Sequence, residues 1–439
     1  MFRYYLLLGM RSLRRNPILT ALMVLTLAIG VAASVSTLTI LHVMAGNPIP
    51  HKSTRLISPL LDNGPLKTYV PGFREPFAIQ MAYRDVVNLL QAPQGVRRTA
   101  ILDVYAPVEP SRPDLPVADT QGVATTHDFF EMFDVPFRAG APWDTAQDNA
   151  GAPVAVLSRA KAESLFGKEN PMGRRIRIWN REFQVIGVLE TWNPVPRYTH
   201  LLNGNGGKFN GEDEIFVPFR SAIAAERTSN GNTSCPSDPA AGYQGFLDSE
   251  CTWIQFWFEL GSVSDRPALT QYLQNYTKEQ RRVGRYERPD PVKTFDVMEW
   301  MEFNEVVNKD NKAAVWLSVG FLLLCMVNTM GLLLAKFSSR SVEVGVRRAL
   351  GATRGDIFSQ FLVETGVIGL AGGLLGLVLS AASLWVIRQQ SRDLSVVANM
   401  DWQMLGFTFA VAIGASLFAG LLPTWRSSHV TPAVQLKTQ

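Results

Sequence analysis

Charge is what this sequence has least of. Asp, Glu, Lys and Arg make up 18% of its 439 residues, against about 25% in ordinary soluble domains. The apolar share of 47% is unremarkable, so the depletion points to soluble and lipid-facing segments joined in one chain. A formal net charge of +4 is small, and no basic run is interleaved with aromatics. That excludes the electrostatic footprint of a nucleic-acid partner. No G-x-x-x-x-G-K-[ST] loop occurs, so nothing in these residues cradles the phosphates of ATP. The histidines, His42, His51, His127, His200 and His429, lack metal-ligand spacing. Neither a G-x-S-x-G elbow nor an H-E-x-x-H helix is present. No catalytic residue and no metal site is proposed, and a non-catalytic protein is expected.

Where charge is missing altogether, the gaps are long. Residues 18–44, 313–335, 365–387 and 402–425 contain no formally charged side chain, and each exceeds the roughly 18 residues that mark a spanning helix. Four transmembrane helices are expected. The segment between the first two, residues 45–312, holds 29 basic and 33 acidic residues. The N-terminal tail carries Arg3, Arg11, Arg14 and Arg15 without an acid, and the segment after the second span carries Lys336, Arg340, Arg347, Arg348 and Arg354. Because basic residues in short flanking segments stay on the cytoplasmic side, both termini are expected in the cytoplasm and residues 45–312 outside. A cleaved signal peptide is the rival for the first stretch, with Val43 and Ala45 as a small-residue site; its apolar core would be far longer than usual.

Within residues 2–15 the four arginines fall on one helical arc, opposite Phe2, Tyr5, Leu6, Met10 and Leu13. This is the pattern of an amphipathic helix lying among lipid headgroups, with a frayed tail as the alternative. The outer segment alternates strand-like and helix-like pieces. Residues 154–157 suggest a buried strand, 159–166 a helix, 174–179 and 182–189 two strands around a turn at Asn180, 253–260 an aromatic strand and 267–283 a helix. Such mixing indicates an α+β domain. Residues 203–211 and 229–245 are rich in Gly, Asn, Ser, Pro and Ala and suggest loops.

The third span carries small residues four apart, Gly369/Gly373 and Gly372/Gly376, which let a neighbouring helix approach closely. Packing within the chain and dimerisation account for them equally. Polar groups inside the spans are few, chiefly Asn328, Thr329 and Ser383, which argues against a midplane substrate site. Of three cysteines, Cys325 lies in the second span, while Cys235 and Cys251 flank a loop on the side of the membrane where disulfides persist. A Cys235–Cys251 bond is expected, two free thiols being the alternative. Closing a loop of that size stabilises by roughly 3 kcal/mol in the chain-entropy model.

Two stretches resemble a known family, the MacB/FtsX-type permeases of ABC systems. The first is VATTHDFFEMFDVPFRAGAPW (residues 123–143), followed by VAVLSRAKAESLFGKENPMGRRIRI (154–178), FQVIGVL (183–189) and EIFVPF (214–219). It looks like the family's periplasmic core domain. The second is SVEVGVRRALGATRGDIFSQFLVETGVIGLAGGLLG (341–376), similar to the family's cytoplasmic coupling loop and third span; PTWRSSHVTPAVQLK (423–437) also fits. Some family members carry the ATPase on the same chain, which this sequence does not. The resemblance implies this organisation: a cytoplasmic amphipathic helix (1–17), span 1 (18–44), a periplasmic core domain (45–312) with an inserted subdomain near 150–225, span 2 (313–335), a coupling loop (336–364), span 3 (365–387), a short periplasmic loop (388–401), span 4 (402–425) and a cytoplasmic tail (426–439).

The implied function is that of a permease subunit of a mechanotransmission-type ABC transporter in the bacterial inner membrane. A separate cytoplasmic ATPase, holding ATP and Mg, would drive movement of the outer domains to export or extract a substrate, with no cofactor on this chain. Implied partners are that ATPase, a second permease as homodimer or heterodimer, a periplasmic adaptor and membrane lipids. The ATPase-coupling residues would be Glu343, Gly345, Arg347, Arg348, Ala349, Gly351 and Ala352; the bland alternative is that the arginines only enforce topology. A different function class, an FtsX-like envelope regulator that activates a partner without transport, is kept beside it, although 268 outer residues are many for that role. No residue selects among macrolides, peptides, lipoproteins and siderophores.

Overall fold

In the computed structural model the described residues are 16–69, 76–109, 117–202, 207–209, 211–228, 232–390 and 402–428. The amphipathic segment expected over residues 2–15, the segment 391–401 and the tail beyond 428 lie outside them, as do parts of the two Gly-rich loops. Two compact units are formed, one from residues 1–45 and 307–439 and the other from residues 46–306.

Among the described residues of the first unit, four helices are long and apolar enough to cross a membrane: Pro17–Ala45, Lys309–Ser338, Arg354–Gln390 and Trp402–Ser428. This is a membrane protein with four spans. The 37-residue third helix is about 55 Å long, more than a hydrocarbon core of about 30 Å requires. It begins before the charge-free stretch, as the second helix continues past its own. The first and fourth helices both pack against the second and the third. Where lipid offers no hydrophobic gain, close approach and hydrogen bonds hold helices together. Ser36 and Ser380 hydroxyls meet at 2.9 Å, and Ser34 donates to the Ser318 carbonyl at 2.9 Å.

The second unit is β-rich α+β. Its strands are β1 (Leu56–Leu61), β2 (Met81–Ala82), β3 (Arg97–Glu109), β4 (Ala118–Thr125), β5 (Phe137–Gly140), β6 (Val154–Leu157), β7 (Arg175–Ile178), β8 (Arg181–Leu189), β9 (Ile215–Pro218), β10 (Thr252–Glu259) and β11 (Val292–Phe295). They form one sheet in the order β11-β1-β10-β3-β4-β9-β6-β8-β5, with β2 beside β10 and β7 bridging β3 and β8. Only β4–β9 and β6–β8 are parallel among these pairs. Residues 150–225 join the sheet through β4–β9 and through β7, whose Ile178 pairs with Val108 at the far end of β3. The β7–β8 hairpin turns through Trp179 and Asn180, both with positive φ (49° and 60°), the geometry two-residue hairpins favour. Asn suits it. Trp179 does not, and its Nε1 donates to the Tyr105 carbonyl at 2.9 Å, which holds it there.

The alternation along β10 suggests one apolar face, yet every residue of the strand is buried. One face sets Trp257 edge-on to Phe133, Tyr198 and Trp300. The other puts Ile254, Phe256 and Phe258 in a core with Leu269 and Leu273 of the helix Arg266–Arg282. Burying each such ring contributes about 1.5–3 kcal/mol. Buried Glu259 on the aromatic face is accommodated by Arg97 at 3.1 Å and Lys52 at 3.8 Å. Cys235 and Cys251 are joined by a disulfide, and Ser234 pairs with Thr252 beside it, so the Gly- and Pro-rich segment is fastened to the start of β10. Cys325 is a free, buried thiol in the second span.

Three polar clusters lie among these apolar layers. Asp85, fully buried, accepts from Arg285 at 2.6 Å, Tyr276 at 2.6 Å and Tyr286 at 2.8 Å, and Arg285 also reaches Glu250 at 2.6 Å. Arg197 donates to buried Asp213, which also lies 3.3 Å from His200. Burial opposes the Asp213 charge, but Arg197 and His200 outweigh it and hold the carboxyl below the usual range. His127 spans Asp148 (3.1 Å) and Asp128 (3.2 Å), and the bond to Asp148 raises its pKa against the effect of burial.

This last arrangement has a signed pH dependence. A histidine whose folded pKa exceeds its unfolded value of 6.5 stabilises fully below that value, and the stabilisation disappears as pH rises through the folded pKa. The stability advantage of the native chain over His127→Gln should therefore be largest in mild acid and vanish in alkali. Thermal unfolding of both across that range checks it; an advantage independent of pH would contradict the ionic role.

Candidate coupling site

Between the second and third spans the chain makes one short helix, Ser341–Ala349. Glu343 sits in its first turn and Arg347 and Arg348 in its last, the placement that complements a helix dipole. Gly351, at φ 101°, ends it in a conformation that side chains rarely adopt. Thr353 and Asp356 then cap the third span reciprocally: the Thr353 N–H donates to the Asp356 carboxylate at 3.0 Å, and the Asp356 N–H donates to the Thr353 hydroxyl at 3.2 Å. Thus a helix, a tight turn and a capped helix occupy what composition alone suggests as a loop.

One side of the short helix is anchored. Val344 is buried with Met23, Leu333, Phe337, Ile357, Phe361 and Ile368, and the Phe337 and Phe361 rings stack at 4.2 Å. Arg347 donates to Glu343 at 2.7 Å and to Gln360 of the third span at 2.8 Å. The other side is bare. Val342 is 62% exposed, Val346 49% and Leu350 83%. Residues at i, i+4 and i+8 form one line along a helix, so these three make an apolar stripe that none of the described residues covers.

The structure thus brings Glu343, Gly345, Arg347, Arg348 and Ala349 onto one helix and Gly351 and Ala352 into the turn after it. Their roles differ in geometry: Arg347 braces the helix, Ala352 packs on the apolar cluster, and Ala349 is exposed. The sequence reasoning passed over Val342, Val346 and Leu350, although their four-residue spacing was the available signal. Glu364 is readable from the sequence as a polar residue at the cytoplasmic edge of the third span; its pairing with Lys336 and Arg340 is not.

The glycines of the third span face two different helices of the same chain. A Cβ at Gly372 would lie 2.9 Å from Leu27, and one at Gly376 would lie 3.2 Å from the Ala28 carbonyl, both in the first span. A Cβ at Gly373 would lie 2.8 Å from Ala412, and one at Gly369 would meet Ser416, both in the fourth. Gly366 faces open space. Of the two explanations open at the sequence level, packing within the chain accounts for all four.

Residues 20–276 match the MacB-like periplasmic core domain, and residues 315–432 match the FtsX-like permease C-terminal domain. The chain is 26% identical over 288 residues to the macrolide export ATP-binding/permease protein MacB of Bdellovibrio bacteriovorus, covering 65% of this chain and 38% of that protein. It is 26% identical over 314 residues to the pyoverdine export ATP-binding/permease protein PvdT of Pseudomonas aeruginosa, covering 71% of this chain and 41% of that one. Among solved structures, the periplasmic region of MacB from Actinobacillus actinomycetemcomitans aligns with a TM-score of 0.37 at 13% identity, over 58% of this chain and 95% of that one. The chain spans about two fifths of the length of these two curated relatives. With more than half of its residues in the first match and the fourth-span region closing the second, this chain belongs to the family of permeases that join a MacB-like periplasmic core domain to an FtsX-like permease domain.

Proposed function

We propose that this chain is the permease subunit of a mechanotransmission-type ABC exporter, in which a cytoplasmic ATPase on a partner polypeptide moves the domain between the first two spans. The observation that carries the reading is the Val342, Val346 and Leu350 stripe. It stands on a helix braced by Val344 and Arg347, as a docking surface for a partner should be. The relatives named above combine ATP-binding and permease functions in export, and the present residues align with part of them. No phosphate-cradling motif occurs in the 439 residues, so hydrolysis is assigned to the partner. Basic residues flanking the spans support cytoplasmic termini and an outer location for residues 46–306. A second permease copy completes the assembly, and substrate is handled outside the membrane, consistent with the lack of charged side chains in residues 18–44, 313–335, 365–387 and 402–425.

The decisive experiment is to isolate the full chain from membranes and identify what accompanies it. An ABC ATPase is expected with the native chain. With Val346→Asp and Leu350→Asp together, membrane insertion should remain normal while the ATPase is lost from the preparation, because carboxylates in an apolar contact are buried without partners. Retention of the ATPase by that variant, or its absence from the native preparation, refutes the assignment.

A further inference from the structure

Three ionisable groups meet beneath the short helix. Lys336, in the last turn of the second span, is fully buried (0% exposed); it donates to Glu364 at 2.7 Å and to the Thr20 hydroxyl of the first span at 3.5 Å. Glu364, in the third span, is 1% exposed, and its second oxygen accepts from Arg340 at 3.1 Å. Arg340 is the residue from which Ser341–Ala349 springs. Phe337, next to Lys336 in the chain, and Phe361, three residues before Glu364, stack on each other within the apolar cluster that holds Val344.

Stability alone does not account for such a cluster. Desolvating ions is costly, and apolar residues of similar volume generally stabilise a buried site as well or better, whereas removing one partner is strongly destabilising. What ions provide and packed methyl groups do not is a fixed partner and direction for each contact. Here the contacts run from the root of the short helix, through one carboxylate, to three different spans.

We propose that Glu364 is a positioning residue that pins the short helix to the first, second and third spans, so that a displacement imposed on the helix moves those spans with it. Without the pin the short helix yields by itself and the displacement is absorbed locally. This rests on the reading of Ser341–Ala349 as the surface on which the ATPase acts. Glu364 acts through Lys336 and Arg340.

The test uses the full chain with the ATPase that accompanies it, reconstituted in lipid discs, and three variants: Glu364→Gln, Glu364→Asp, and Lys336→Met with Glu364→Leu. The last replaces the fully buried pair by apolar groups, leaves Arg340, whose side chain already reaches solvent (12% exposed), and keeps the measurement possible if Glu364→Gln folds poorly. The expected result is that the double variant melts near the native temperature and retains the ATPase, while permease-stimulated hydrolysis falls about tenfold, a typical size for a coupling between sites. Glu364→Asp, which keeps the charge, should recover most of the stimulation. A double variant that is stable, ATPase-bound and stimulated like the native chain overturns the pin and leaves the docking reading intact. If Val346→Asp with Leu350→Asp is itself bound and stimulated normally, the docking reading fails and the pin falls with it.

Discussion

Asp85→Ala should cost the unit formed by residues 46–306 about 3–5 kcal/mol, the range for removing one partner from a buried ion pair. The carboxylate is fully buried and holds Arg285, Tyr276 and Tyr286 at 2.6–2.8 Å. Burial works against the Arg285 charge, but Glu250 and Asp85 more than offset it and keep its pKa raised. Removing Asp85 leaves a guanidinium with Glu250 as its remaining acidic partner in the cluster, and two phenols without their acceptor. The loss should also loosen long-range structure, since Asp85 lies in the helix after β2 while Arg285 and Tyr286 follow the helix Arg266–Arg282. Arg282→Ala is the control: its pair with Glu279 is exposed on the surface, and such pairs contribute about 0–1 kcal/mol. Denaturation of the full chain in detergent, followed by tryptophan fluorescence, compares the two. An Asp85→Ala midpoint no lower than that of Arg282→Ala would refute the account.

Gly373→Leu should destabilise the helix bundle by about 1–3 kcal/mol or prevent its assembly, the usual consequence of overpacking a tight contact. Even the first added carbon would lie 2.8 Å from the Ala412 Cβ, inside van der Waals contact, and leucine adds three more. Neither helix can relieve this by rotating a side chain, because the obstruction is the Cβ of the neighbouring helix. At Gly366, seven residues earlier in the same span, an added Cβ meets nothing within 4 Å among the described residues, and Gly366→Leu should be tolerated. Thermal stability of the two variants in detergent separates packing within the chain from packing between chains. If Gly373→Leu leaves the monomer's melting unchanged and only breaks dimers, the glycine contact belongs between subunits.

The long elements were legible because one physical rule governs each. An uncharged run longer than a bilayer is thick has few options but to span it, and the four runs are four helices. In the outer unit the helix expected over 159–166 is Arg159–Phe166; the structure shows its ends, with the Ser158 hydroxyl accepting from the Lys161 N–H at 3.1 Å and Gly167 ending it at φ 63°. The β7–β8 hairpin was readable from alternation and from Asn180. Cys235 and Cys251 were the only two cysteines of the outer segment, so their bond followed from composition and compartment. The family was legible in the residues around the 167–173 turn and the segment 341–376.

What stayed hidden depended on partners distant in sequence. The full burial of β10 was invisible because its second face is covered by Tyr198 and Trp300, which no local pattern connects to Trp257. Helices run on past the charge-free stretches: Lys336 continues the second helix, and Glu364 compensates it there. The sequence by itself determined the spans, the mixed outer domain, the disulfide and the family, since those follow from local hydrophobicity, spacing and motif. Only the tertiary structure decided which faces are covered, which glycines meet which helices and which ions are buried together. Each of those depends on how segments far apart in the chain pack, and a buried charge is tolerable only where folding delivers its counter-charge.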